Sequence, residues 1–165
     1  MEENQIPKLD KVNEIGGTAF QIIEMKEKIL SGWDKLARKS VYLFKMDSGA
    51  WGYYNKEAGR VTEVDQWKDK SAWINGQWIR LSIYYRIHVV FANPIEFTVY
   101  DYANHRSQRI CWQEALIKVT DKTYALMVSA SQGRDPRSFY RFGFKAKGKK
   151  GGGEMLLVDT VTWVG

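Results

Sequence analysis

Trp78, Arg80, Ser82, Tyr84, Arg86 and His88 stand at alternate positions of one stretch, so rings and cations recur with the period of a β-strand. That mixture suits single-stranded nucleic acid, where flat rings stack on bases and cationic side chains meet phosphates. The intervening set, Ile79, Leu81, Ile83, Tyr85, Ile87, Val89 and Phe91, is apolar but for one phenol and can enter a core. Upstream, Trp67 and Trp73 lie in a second aromatic-bearing run, separated from the first by Asn75-Gly76. Asn-Gly is the strongest short signal for a two-residue hairpin turn, because both central residues take positive φ there. Residues 61–91 therefore read as one long hairpin. Its register would set Trp73 against Trp78, Trp67 against Tyr84 and Asp65 against Arg86, all on the polar face. A cross-strand aromatic ladder could equally be structural, and Asp65 and Glu63 could neutralise Arg86 and His88.

Other reactive types form weaker constellations. The carboxylates Glu63, Asp65, Glu96, Asp101 and Glu114 are scattered over expected strands, and a metal-dependent nuclease could assemble two of them with Lys68 or Lys118. Their spacing does not set them apart from solvent-facing acids. Asp101 and His105 could pair as acid and base across a loop, although a surface hydrogen bond explains the same spacing. Cys111 has no nucleophile elbow around it and reads as a small buried hydrophobe. With 2 His and 1 Cys, neither a metal-ligand cluster nor an intrachain disulfide is expected. Gly148-Lys149-Lys150 lacks the Ser or Thr of a phosphate loop. The expectation is therefore a protein without metal or cofactor.

A ring-and-cation face needs a sheet to carry it, and strand patterns flank it on both sides. Residues 1–11 are polar and read as a flexible N-terminus. From Thr18 to Lys39, apolar residues recur at near-helical spacing behind a Thr18/Gln21 capping box, which predicts one or two helices; a strand over Ala19–Met25 is the rival. Val41–Met46 and Ala50–Tyr54 read as strands. Asn93-Pro94 is expected to end the second hairpin arm, with Ile95–Tyr102 alternating again beyond it. Arg109–Thr120 suits a helix or a strand. A turn at Asp121-Lys122 into a strand over Thr123–Ser129 favours a second hairpin. Ser138–Lys145 and Glu154–Val164 make the last hairpin, with a flexible basic tip near 145–153. The fold class expected is mainly β, with α+β possible: antiparallel strands in a barrel or sandwich, covered by one or two N-terminal helices, in a single domain over 12–165.

Charge sharpens the functional reading. The chain of 165 residues carries +6, with 7 Trp and 9 Tyr. Between Ser129 and Gly153 lie Arg134, Arg137, Arg141, Lys145, Lys147, Lys149 and Lys150 against Asp135 alone, and the remainder is balanced. Such a localised excess is an electrostatic footprint for a polyanion. The reading is thus a non-catalytic protein that binds single-stranded DNA, or less favourably RNA. Trp67, Trp73, Trp78 and Tyr84 would stack on bases; Arg80, Arg86, Arg137, Arg141, Lys145, Lys147, Lys149 and Lys150 would contact phosphates. A module that binds an acidic protein partner is the alternative, and a metal-dependent nuclease the second. No apolar run reaches membrane-spanning length, and the charged N-terminus lacks a signal-peptide core, which fits an intracellular protein. An open sheet edge would allow a homodimer.

Overall fold

The computed structural model describes residues 6–55, 58–101, 103–150 and 153–165, with the backbone alone over 147–150 and 153–155. In chain order its strands are β1 (Lys8–Leu9), β2 (Phe20–Asp34), β3 (Lys39–Lys45), β4 (Trp51–Asn55), β5 (Arg60–Glu63), β6 (Trp67–Lys68), β7 (Ser71–Ile74), β8 (Gln77–Asp101), β9 (Arg106–Thr120), β10 (Tyr140–Lys150) and β11 (Gly153–Trp163). One helix, α1 (Asp121–Ser131), and a 3-10 turn at Val12–Ile15 complete the described elements. The strands pair in the order β1-β9-β8-β2-β3-β4-β5, with β10–β11 branching from β2 and β6–β7 from β8. β1 runs parallel to β9, while the other recorded registers are antiparallel. The expected barrel is not formed. β2 and β8 are long enough to take different neighbours along their lengths, so the sheet branches and keeps free ends instead of closing.

By contacts the chain divides into two compact units, residues 1–26 with 85–165, and residues 27–84. In the first, Leu9, Ile15, Phe20, Ile87, Val89, Phe91, Phe97, Ala115, Ile117, Val119, Met127, Tyr140, Phe142 and Val158 form the core. The expected N-terminal helices are absent. Phe20–Asp34 is a strand, because Phe20 enters this core and pairing to β8, β3 and β10 outweighs a local helical pattern. β8 also runs straight through Pro94. Losing one ladder donor there is offset by burial of Phe97 and partial burial of Ile95 beyond it.

The segment expected to be a strand after Asp121-Lys122 is α1 instead. Thr120 caps it, its side chain accepting from the Thr123 N–H at 3.2 Å, and Asp121 lies in the first turn, where the helix dipole favours a carboxylate. Thr123 and Met127, one turn apart, are its buried residues. Tyr124 stacks on Tyr85 at 4.0 Å. Burial, and next the Asp121 carboxylate, raise the pKa of the Tyr85 hydroxyl. The last hairpin forms, Tyr140 opposite Trp163, but its ladder continues to Lys150 opposite Gly153, past Lys145, where the first strand was expected to give way to a flexible tip.

In the second unit, Val41, Leu43, Tyr53, Val64, Ala72, Ile74 and Ile79 form a separate core. Asn75-Gly76 makes the expected turn, with φ of 53° and 76°, and sets Trp73 opposite Trp78 and Ser71 opposite Arg80. The long hairpin stops there. Asp69 takes φ of 56° and turns the first arm back, so Trp67 pairs with Ala72 rather than Tyr84. Asp tolerates that left-handed conformation because its carboxylate can bond locally. Gly32 has a packing reason: a Cβ there would come within 2.6 Å of the Arg80 carbonyl oxygen and 2.5 Å of Ile79.

Candidate nucleic-acid interface

The three-stranded β6-β7-β8 meander of the second unit sorts its side chains by register. Residues opposite one another share a face and neighbours along a strand do not. One face therefore carries Trp67, Ala72, Ile74 and Ile79, the last three in the core. The other carries Lys68, Ser71, Trp73, Trp78 and Arg80. Trp73 and Trp78 meet edge to face with ring centroids 5.2 Å apart, and remain 37% and 42% exposed. That geometry is favourable for an aromatic pair and contributes to holding the hairpin. Lys68 and Arg80 are exposed, and neither meets a carboxylate among the described residues. Two rings and two uncommitted cations thus share one surface.

The remaining nominated residues lie elsewhere. Trp67 is exposed at the edge of the core-facing side, a consequence of the Asp69 turn. Tyr84 is half-buried in the second unit. Arg86 is 8% exposed, in the first unit, and donates to Asp10 at 2.7 Å and to the Leu116 carbonyl at 3.1 Å. The expected Asp65 partner is not its partner, because the hairpin register ends before reaching it. Arg137 is held by Asp135, Arg141 donates to the Gly17 carbonyl, and Lys145 lies 3.2 Å from Asp159, although all three stay exposed. The side chains of Lys147, Lys149 and Lys150 lie outside the described residues; their backbone continues β10.

The groups considered for catalysis are committed or dispersed. Asp101 accepts from the Ala103 and Asn104 backbone and from the Asn104 amide, which holds its carboxyl below the usual range and leaves it a turn cap. His88 meets Glu114 at 3.0 Å, and Glu96 lies 3.7 Å from Arg109. Cys111 is exposed, contrary to the buried position expected. Among the described residues no group of three or more His, Cys, Asp or Glu could hold a metal ion, and no helix is long and apolar enough to cross a membrane.

A cleft in the second unit has no counterpart among the residues the sequence singled out. Its volume is about 840 Å³, and its lining includes Tyr42, Phe44, Tyr53, Tyr54, Lys39 and Gln77. β3 and β4 are paired only at Phe44 opposite Gly52 and Lys45 opposite Trp51. Beyond that point no pairing joins them, and the cleft takes the gap. At its end Asp34, 1% exposed, ties the β2–β3 turn together: one carboxylate oxygen accepts from the Leu36 and Ala37 N–H groups and from Gln77 Nε2 at 2.6 Å. The Ala37 bond, ahead of those from Gln77, Leu36 and Asn75, holds the Asp34 carboxyl below its ordinary range against the opposing effect of burial. The available sequence signal was the run Tyr42, Phe44, Tyr54 of rings alternating with core residues. Compared with known proteins, the chain matches no family model, no curated protein and no solved structure.

Proposed function

We propose that the protein binds single-stranded nucleic acid without catalysis, and that the second unit makes the contact through the outer face of its β7–β8 hairpin. Trp73 and Trp78 stack on bases, while Arg80 and Lys68 contact flanking phosphates. The observation that carries the reading is the exposed Trp73–Trp78 pair beside two cations that no carboxylate engages among the described residues. Rings stack on any base, so the preference among sequences is weak; each stacked base contributes on the order of 1–3 kcal/mol. Two phosphate contacts give a modest salt dependence, and cations elsewhere on the chain steepen it only if the strand reaches them.

The test is fluorescence anisotropy with labelled single-stranded DNA, duplex DNA and RNA of equal length at low and moderate salt, following tryptophan emission in parallel. Single-strand binding with tryptophan quenching is the expected result. Equal binding to duplex without quenching would leave only charge as the cause and reject the stacking face.

A further inference from the structure

The gap between β3 and β4 has the hydrogen-bonding pattern of a missing strand. Met46 N–H donates to the Ala50 carbonyl, and Phe44 lies opposite Gly52 in the same ladder. On the other side of β4, Val64 N–H donates to the Trp51 carbonyl, and Tyr53 and Asn55 pair with Thr62 and Arg60 of β5. Main-chain groups alternate edges along a strand. Hence those of Phe44 and Gly52 face each other, and those two residues further out, Tyr42 on β3 and Tyr54 on β4, are aimed at the same gap. No pairing joins Tyr42 to Tyr54. From Ser40 to Phe44 this edge spans roughly 13 Å at about 3.3 Å per residue, room for about four residues of extended chain.

We infer that this gap binds an extended acidic peptide as an added strand. The peptide's main chain bonds to the N–H and C=O groups of Tyr42 and Tyr54, and its alternate side chains lie along the rings of Tyr42, Phe44 and Tyr54. The rings are available: Tyr42 and Tyr54 are 52% and 62% exposed. The charge preference comes from the β2–β3 turn, where Lys35, Arg38 and Lys39 are exposed and Lys39 lines the cleft. Among the described residues the cleft's one lining acid is Asp34, which is buried and already accepts from the Leu36 and Ala37 N–H groups and from Gln77. A volume of about 840 Å³ falls within the range of about 300–1,000 Å³ usual for ligand sites. A nucleic acid strand, by contrast, has no backbone donors and acceptors at strand spacing. This site is separate from the Trp73–Trp78 face and does not depend on its reading.

The test is amide hydrogen exchange on the full chain with a capped peptide of alternating Glu and Val, its Lys/Val counterpart, and oligo(dT). The acidic peptide is expected to slow exchange at the Tyr42 and Tyr54 amides by about tenfold or more, leaving the Leu43 and Tyr53 amides, which face the neighbouring ladders, unchanged. Tyr54→Pro deletes one donor aimed at the gap while Tyr53 and Asn55 keep the β5 pairing. It is expected to abolish peptide binding, whereas Tyr54→Ala, which keeps the donor, only weakens it; oligo(dT) binding is expected to be the same in both. Should Tyr54→Pro not fold, the exchange data on the unaltered chain decide alone. Equal protection by the Lys/Val peptide, protection of the same amides by oligo(dT), or no protection at millimolar peptide would each overturn the inference.

Discussion

The two units use their aromatic and cationic residues in opposite ways. In residues 1–26 with 85–165, rings are drawn inward: Phe20 against Phe142 at 4.7 Å, Phe91 against Phe97 at 6.3 Å, Tyr85 on Tyr124. Several cations there find carboxylates, as Arg86 does in Asp10, Arg109 in Glu14, Arg137 in Asp135 and Lys145 in Asp159. In residues 27–84 the core is smaller, and Trp33, Tyr42, Phe44, Tyr54, Trp67, Trp73 and Trp78 are all exposed. Among the described residues of the first unit, the large exposed aromatics are Tyr100 and Trp163, and Trp163 is covered by the Arg134 guanidinium at 4.2 Å. The local charge excess and the exposed rings with cations that meet no carboxylate among the described residues thus fall in different units, and the proposed contact follows the second of these.

The sharpest way to break this contrast is to truncate matched side chains. Phe97→Ala is expected to cost about 3–5 kcal/mol in denaturant unfolding, because it empties a fully buried site of the first unit. Trp78→Ala should cost only about 0.2–1 kcal/mol, the worth of a cross-strand pair. If Trp78→Ala proved as costly as Phe97→Ala, the hairpin face would be core and the contrast would fail. Gly32→Ala is expected to destabilise by about 1–3 kcal/mol, since its Cβ meets the β8 backbone, which cannot step aside. A neutral Gly32→Ala in thermal melts would show that this approach is looser than the structure has it.

Smaller effects sharpen the comparison. Arg80→Ala and Lys68→Ala should each flatten the slope of log affinity against log salt by about 0.7, the value for one lost phosphate contact on a single strand. Arg137→Ala and Arg141→Ala, cations of the first unit, should leave that slope alone. Acid stability supplies the last probe. The Asp34 carboxyl is held below its ordinary value of 3.8, so its contribution is present above that value and is lost as pH falls through the lower folded-state value. Asp34→Asn should therefore lower stability near neutrality and lessen the loss on going to acid, read as denaturant midpoints across pH.

Much of this was legible wherever a local signal acted alone. Asn75-Gly76 gave the hairpin and the Trp73–Trp78 pair because positive φ at two successive residues is a property of those residue types. The alternation of Tyr140, Phe142 and Phe144 gave the last hairpin in the same way. Asp69-Lys70 carries a turn without glycine, and the misreading there moved Trp67 to the other face and denied Arg86 its expected partner. β2 hid behind helical spacing because its strand state is imposed by neighbours distant in sequence. α1 was missed although Thr120, Asp121 and Thr123 together form a start signal, since Tyr124, Leu126 and Val128 also alternate. Of the β3–β4 cleft only the alternating rings Tyr42, Phe44 and Tyr54 were legible, not the gap between the strands. Where a ladder stops is fixed by tertiary packing, and no residue type announces it.

The most direct measurement is anisotropy of a labelled oligo(dT) titrated with the unaltered protein, a Trp73→Ala/Trp78→Ala variant and an Arg137→Ala/Arg141→Ala variant at one moderate salt concentration. The account predicts that the tryptophan variant loses about 1–3 kcal/mol of binding per stacked base while the arginine variant binds as the unaltered protein does. Equal loss in both, or full binding by the tryptophan variant, would contradict it.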